Sequence, residues 1–185
     1  MMADGGKSEL VERNNQTDSA KAIGRDAIRL PPEVRKSKSR RGNYLFEVIT
    51  TNGWASPHPF GTLYAIEGGV TRRLWSSRLH MGYGPRFVLV SDTGTVALFD
   101  EWINVKTDRA IVLIRDDGHI IKSYSTDDVR IATGVDYTTL TSQAQYGWWI
   151  RVQPQVTDDG EAAQVGVAGQ CLRVDFQSGR LNLLP

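Results

Sequence analysis

The residues of this chain whose side chains could do chemistry are few and scattered. The three histidines, His58, His80 and His119, stand at no metal-binding spacing, and Cys171 is the one cysteine. Zinc sites draw their ligands mainly from such residues, so we predict no metal site. For the thiol of Cys171 to be a nucleophile, an imidazole would have to lie beside it in space, and we expect an exposed or half-buried thiol instead. The sequence contains neither a G-x-S-x-G motif nor a phosphate-binding glycine loop.

Carboxylates are the other groups that could act on a substrate. Adjacent acidic residues recur along the chain, but most of them precede turn glycines or start a helix. Neighbouring residues on a strand point to opposite faces, so Asp100 and Glu101 would not meet at one substrate atom. We therefore predict no catalytic residue, no cofactor and no enzymatic activity. The alternative is an enzyme whose site assembles from scattered residues, with His80, Asp100 and Arg86 as its candidates.

The aromatic residues carry more information than the titratable ones. The chain has five tryptophans, and two of them are adjacent in a predicted strand from Trp148 to Val156, where they would face opposite sides. An exposed tryptophan beside a tyrosine and an arginine suits an interaction surface, because these types dominate interface hot spots. The alternative is that both faces of this strand are covered. The candidates for partner binding are Trp102, Tyr146, Trp148, Trp149 and Arg151.

A short basic run precedes the apolar part of the chain. Its positive charges could hold nucleic acid or an acidic partner. The run has no interleaved aromatic residues for base stacking, so a solvated basic linker is the alternative. The electrostatic candidates are Arg35, Lys36, Lys38, Arg40 and Arg41.

The elements that must position these residues are predicted to be antiparallel hairpins. Runs of β-branched and aromatic residues alternate with turns in which glycine supplies the positive φ that a tight turn needs. The turn glycines of the first three hairpins recur about every 24 residues, which indicates an internal repeat of two strands. Ser125 to Asp128 has the form of a capping box and predicts a single helical turn. The predicted hairpin turns are at Gly68 and Gly69, Gly94, Gly118 and Gly179.

Composition divides the chain in two. Residues 1–42 are polar and basic, with no aromatic side chain, and we predict that they are poorly ordered, with at most one short helix near Ala20 to Ile28. Residues 43–185 are predicted to form one all-β domain. The balanced net charge of +1 gives the whole molecule no reason to seek anionic surfaces. Without a membrane span or signal peptide we expect a cytoplasmic protein, or an exported one if a leader was trimmed.

One stretch has a distinctive order of strands and turns. Leu74 and Trp75 end a strand, a loop with Gly82 to Pro85 follows, and Val88 to Asp92 leads through Gly94 to a strand ending at Trp102. After a further loop, Ala110 to Ile114 and Asp117-Gly118 lead into Ile121 to Asp128. This order, about a third of the chain, resembles the β-propeller-like repeats of small uncharacterised bacterial proteins. The resemblance implies a non-enzymatic β domain without catalytic residues.

These patterns predict a mainly β fold, an antiparallel meander of hairpins arranged as propeller-blade-like sheets or as a sandwich. The chain is too short for a closed propeller of four four-stranded blades, and one twisted sheet or two packed sheets fit its length better. The predicted function is a non-catalytic module that binds a protein partner, as an immunity protein or an accessory subunit of a bacterial assembly would. The alternatives are the scattered-residue enzyme and nucleic-acid binding through the basic run.

Overall fold

The computed structural model describes residues 30–184. Within this range the chain forms three antiparallel sheets of four strands each, and every sheet is a meander in chain order. The first sheet comprises β1 (Val34–Lys38), β2 (Tyr44–Ile49), β3 (Phe60–Glu67) and β4 (Val70–Arg78). The second comprises β5 (Pro85–Val90), β6 (Val96–Glu101), β7 (Ile111–Ile114) and β8 (Ile120–Tyr124). The third comprises β9 (Val152–Val156), β10 (Ala162–Val167), β11 (Gln170–Asp175) and β12 (Leu181–Leu184).

The second sheet is the middle layer of the molecule. Along β6, Val96 and Leu98 pack into a core shared with the first sheet, while Ala97 and Phe99 pack into a core shared with the third. All four side chains are buried, as are those of β7. Alternate residues of a strand face opposite sides, so both faces of the second sheet are covered. One face of the first sheet, with Phe46, Leu63 and Trp75, packs into the core that it shares with the second sheet.

The mainly β architecture predicted from the sequence is confirmed, with three sheets rather than one or two. The four predicted hairpins correspond to β3–β4, β5–β6, β7–β8 and β11–β12. The glycines in their turns have positive φ, for example 87° at Gly94 and 88° at Gly118. Because any side chain at such a φ is strained, these glycines fix where each hairpin reverses.

Two short helices connect the second and third sheets. Ser125 forms the predicted capping box with Asp128, but α1 (Thr126–Thr133) continues beyond the single expected turn until Gly134 ends it at φ 68°. The second helix, α2 (Tyr137–Ser142), was not predicted from the sequence. It begins at Asp136, whose side chain accepts a hydrogen bond from the Thr139 amide at 2.7 Å.

The predicted boundary near residue 43 differs from where the sheet begins. Val34–Lys38 is strand β1, paired with β2 from Val34 opposite Ile49 to Lys38 opposite Leu45. The basic run therefore starts inside the sheet. This strand was not predicted because its inward positions carry Arg35 and Ser37 instead of apolar residues. The alternation of apolar and polar residues that marks a strand is therefore missing. The short helix expected near Ala20 lies outside the described residues.

Candidate functional site

Asp100, near the end of β6, and Arg86, near the start of β5, form a buried ion pair. Asp100 has no exposed surface, and its Oδ2 lies 3.7 Å from Arg86 Nε. The Arg86 guanidinium also donates to the Trp102 carbonyl, and it donates to Asn104 Oδ1 at 2.5 Å. The backbone at Asp100 has a φ of 52°, which is uncommon for a residue other than glycine. Sequence reasoning named both residues of the pair as candidates but did not predict their contact.

Burial dominates the electrostatics of this pair. Removal of the Asp100 carboxylate from water raises its pKa to about 6, although the Trp148 amide and the Arg86 charge both favour its ionised form. Burial likewise lowers the pKa of Arg86, and the Asp100 charge opposes that shift. Oδ1 of Asp100 has no hydrogen-bond partner among the described residues. Because the carboxylate is sealed, a substrate could reach it only if the surrounding turn moved.

The turn that seals Asp100 contains the two adjacent tryptophans. Tyr146 and Ile150 form an isolated bridge, and Gly147 between them has a φ of 67°. Trp148 and Trp149 therefore lie in a turn and not on the predicted strand, because β9 begins only at Val152. The bridge joins residues only four positions apart, so the chain between them must turn back on itself and cannot be an extended strand. Gly147 adopts the positive φ that this turn needs. The predicted strand thus starts too early in the sequence.

The aromatic candidates for partner binding have unequal access to solvent. Trp149 is fully buried, so its side chain belongs to the core. Trp148 is half-buried, and its amide donates to Asp100 Oδ2 at 3.2 Å. Tyr146 makes an edge-to-face contact with Phe87, with ring centroids 5.6 Å apart. Arg151 is exposed and donates to the Gln143 side chain at 2.9 Å.

Trp102, the remaining aromatic candidate, lies beside two arginines where the first and second sheets meet. The guanidinium of Arg35 lies 5.3 Å from its ring centroid and that of Arg86 lies 5.7 Å away. Arg35 also donates to the Pro85 carbonyl at 2.5 Å, and burial lowers its pKa to about 10. Cation–π contacts of this kind stabilise a junction when they are partly desolvated. Trp102 is therefore engaged within the molecule.

Arg35 of the basic run faces inward. Of the other basic residues, two contact the second and third sheets and two lie exposed on β1. Arg40 donates to the Asp158 carbonyl at 2.8 Å, which links the first and third sheets. Arg41 pairs with Asp92 at 3.6 Å. Lys36 and Lys38 are exposed on the outward side of β1, and Lys36 pairs with Glu47 at 2.9 Å. The predicted electrostatic set is thus partly used to join the sheets.

His80, the third candidate of the enzyme hypothesis, makes no hydrogen bond, ion pair or ring contact with Asp100 or Arg86. It is exposed in the chain between β4 and β5, and its ring centroid is 6.4 Å from that of His58. Within residues 30–184, no three His, Cys, Asp or Glu side chains are grouped as cation ligands.

The outward side of the first sheet, here called the outer face, carries a row of exposed apolar side chains. Val34, Ile49 and Phe60 are cross-strand neighbours on β1, β2 and β3, and they are 49%, 37% and 39% exposed. The row ends at Arg78 on β4, whose guanidinium lies 5.5 Å from the Phe60 ring centroid. Sequence reasoning missed this row because it exists only once the strand register is known.

Basic side chains flank the row on the same face. The next outward rows contain Lys36 and Lys38 from β1 and Arg73 from β4, in register with Glu47 and Tyr64. Between residues 34 and 78 there are eight Lys and Arg against two Glu, a net charge of +6. Residues 79–185 have nine Lys and Arg against thirteen Asp and Glu, a net charge of −4. The near-neutral whole chain therefore conceals a strongly basic first sheet.

No protein-family model matches the chain, and a search of curated proteins gives no significant match. Among the described residues, neither helix has the length and apolar character needed to cross a membrane.

Proposed function

We propose that this chain is a non-catalytic protein-interaction module and that it docks its partner on the outer face of the first sheet. The observation that carries the proposal is the row formed by Val34, Ile49 and Phe60, which lies in cross-strand register across three strands. Interfaces commonly combine such an apolar centre with a polar rim. Here the rim is basic: Arg78 ends the row, Lys36 lies in the next outward row, and Lys38 and Arg73 lie one row further.

Two features favour a binding role for this row over chance exposure. Scattered apolar residues on a surface are normal, but these three are direct neighbours on adjacent strands and so form one continuous patch. The opposite side of the same sheet supplies Phe46, Leu63 and Trp75 to the core shared with the second sheet. Among residues 30–184, the core residues of the first sheet therefore lie on the side opposite the outer face.

The test is partner capture with two matched single variants. Phe60→Ser removes the centre of the row, whereas Ile131→Ser removes an apolar side chain that is 67% exposed on α1. Tagged wild-type protein and the Ile131 variant should recover the same stoichiometric protein from native lysate, and the Phe60 variant should lose it. Equal recovery by all three proteins, or no stoichiometric protein with the wild type, would count against the proposal. Far-ultraviolet circular dichroism establishes that both variants are folded.

Nucleic-acid binding is the second candidate, because the same basic face presents the aromatic rings of Phe60 and Tyr64 from one strand. Aromatic platforms within a basic surface are typical of single-strand binding proteins. The aliphatic members of the row, Val34 and Ile49, favour a protein partner instead. A salt-sensitive mobility shift of a labelled oligothymidylate by the wild type, lost in a Lys38→Glu and Arg73→Glu double variant, would support nucleic-acid binding. Removing residues 1–41 would be a poor test, since it deletes β1.

A further inference from the structure

The outer edge of β4 differs from the outer edges of the other two sheets. The last strands of the second and third sheets, β8 and β12, both contact helix α1. Strand β4 is the last strand of the first sheet and is hydrogen-bonded to β3 on one side, and within the described residues no strand pairs with its other side. It is nine residues long and its side chains are exposed, except for Leu74 and Trp75. Such an edge is a template for an added strand.

Strand β4 carries three arginines, and a bulge brings two of them to the same face. Arg73 pairs with Tyr64 and Arg78 pairs with Phe60, because the register shifts at Leu74. In a regular strand, residues five apart would face opposite sides. Because of the bulge, both arginines lie on the outer face. Their partners on β3, Tyr64 and Phe60, are four residues apart and share that face. Arg72, opposite Ala65, lies on the other side.

Arginines on an edge strand are a known defence against edge-to-edge aggregation, and here they also select the occupant. A second copy of β4 would bring a second set of arginines alongside Arg73 and Arg78. Like charges opposite one another destabilise strand pairing. A strand with acidic side chains at those positions would gain cross-strand ion pairs instead. The net charge of +6 on the first sheet adds long-range attraction for such a segment.

We propose that β4 accepts an extended acidic segment of a partner protein as a fifth strand of the first sheet, with carboxylates opposite Arg73 and Arg78. This inference rests on the proposed function, since the added strand would extend the outer face at the Arg78 end of the apolar row. Main-chain hydrogen bonds to β4 would supply affinity, and the arginines would supply selectivity for acidic sequences.

The experiment uses a fluorescent synthetic peptide that alternates Glu with Val, and its anisotropy is followed as the full chain is added. Two control peptides separate the contributions: one replaces each Glu with Lys, and the other keeps every Glu but carries N-methyl groups that remove alternate main-chain donors. We expect saturable binding of the acidic peptide and at least about tenfold weaker binding of both controls. If the N-methylated peptide binds as well as its parent, the attraction is electrostatic alone and the added strand is refuted.

Variants of the protein test whether Arg73 and Arg78 are needed to bind the acidic peptide. The double variant Arg73→Glu and Arg78→Glu should weaken binding of the acidic peptide at least about tenfold. The matched double variant Lys122→Glu and Arg180→Glu, at exposed positions in β8 and in the β11–β12 turn, should not weaken it. An equal effect of both double variants refutes the inference, as does preferential binding of oligothymidylate over the acidic peptide.

The two proposals fail in different ways. If the captured partner depends on Phe60 but not on Arg73 and Arg78, the docking face stands and the acidic fifth strand is refuted. If the partner is indifferent to Phe60 as well, the proposed function itself is refuted.

Discussion

Replacing Asp100 with Asn should change how the stability of this protein depends on pH. The carboxylate is fully buried, and its folded-state pKa is about 6 because burial disfavours the charged form. In the unfolded chain the same group should titrate near ~3.9. Between these two values the folded state holds a proton that the unfolded state releases, so the protonated carboxyl favours folding at low pH and this contribution is lost as pH rises through about 6.

The size of the effect follows from the gap between the two pKa values. A gap of about 2 pH units corresponds to roughly 3 kcal/mol, which is a large fraction of the stability of an ordinary domain. Asn has the same shape and does not titrate, so Asp100→Asn removes this contribution. The free energy of unfolding of the wild type minus that of the variant should therefore fall by about 3 kcal/mol between pH ~3 and pH ~7.

The assay is urea denaturation followed by tryptophan fluorescence at several pH values, for the wild type and the Asn variant in parallel. Groups whose pKa is lowered, such as Asp159 at about 2, act in the opposite direction but are common to both proteins and cancel in the difference. The control variant is Asp108→Asn, which removes an exposed carboxylate and leaves the buried pair intact. A difference between wild type and Asp100→Asn that is flat with pH would refute the burial argument.

Three further predictions concern the packing around this pair and the N-terminal cap of α1. Gly147→Ala would drive a Cβ into the Asp100 carboxylate, whereas Gly134→Ala at nearly the same φ meets no atom within 4 Å. The first should therefore cost at least about 2 kcal/mol more than the second in chemical denaturation, and equal costs would contradict the close approach. Ser125→Ala removes the capping box of α1 and should lower the free energy of unfolding by about 1 kcal/mol, with a value near zero as the contrary result. Trp149→Ala empties a fully buried site and should cost about 3–5 kcal/mol, so a loss below about 1 kcal/mol would show that the turn does not bury this ring.

Much of the fold could be predicted from local chemistry. The hairpin turns are marked by glycines that need positive φ, and α1 is marked by the reciprocal Ser125 and Asp128 contacts, so both were predictable from short segments. Strand β1 was not predictable in this way, because Arg35 fills an inward position and is stabilised by Pro85 and Trp102, which are distant in sequence. Its identity as a strand depends on tertiary contacts that no local pattern contains.

The candidate site illustrates the same limit. Arg86 and Asp100 could be named from their residue types, and the β5–β6 register brings them opposite each other. Their burial, however, depends on the turn at Gly147, which folds over them from a distant part of the chain. The row of the outer face requires the register of three strands, and the common side of Arg73 and Arg78 requires a bulge. A shift of one residue would invert every side chain, so these surfaces appear only in the folded chain.

Docking of a protein partner on the outer face can be tested by site-specific photo-crosslinking. A photoreactive benzoylphenylalanine placed at position 60 samples the apolar row, and the same group at position 131 samples an exposed apolar position on α1. We expect one dominant crosslinked protein from position 60 in native lysate and none from position 131. Equal crosslinking from both positions, or none from position 60, would contradict this expectation.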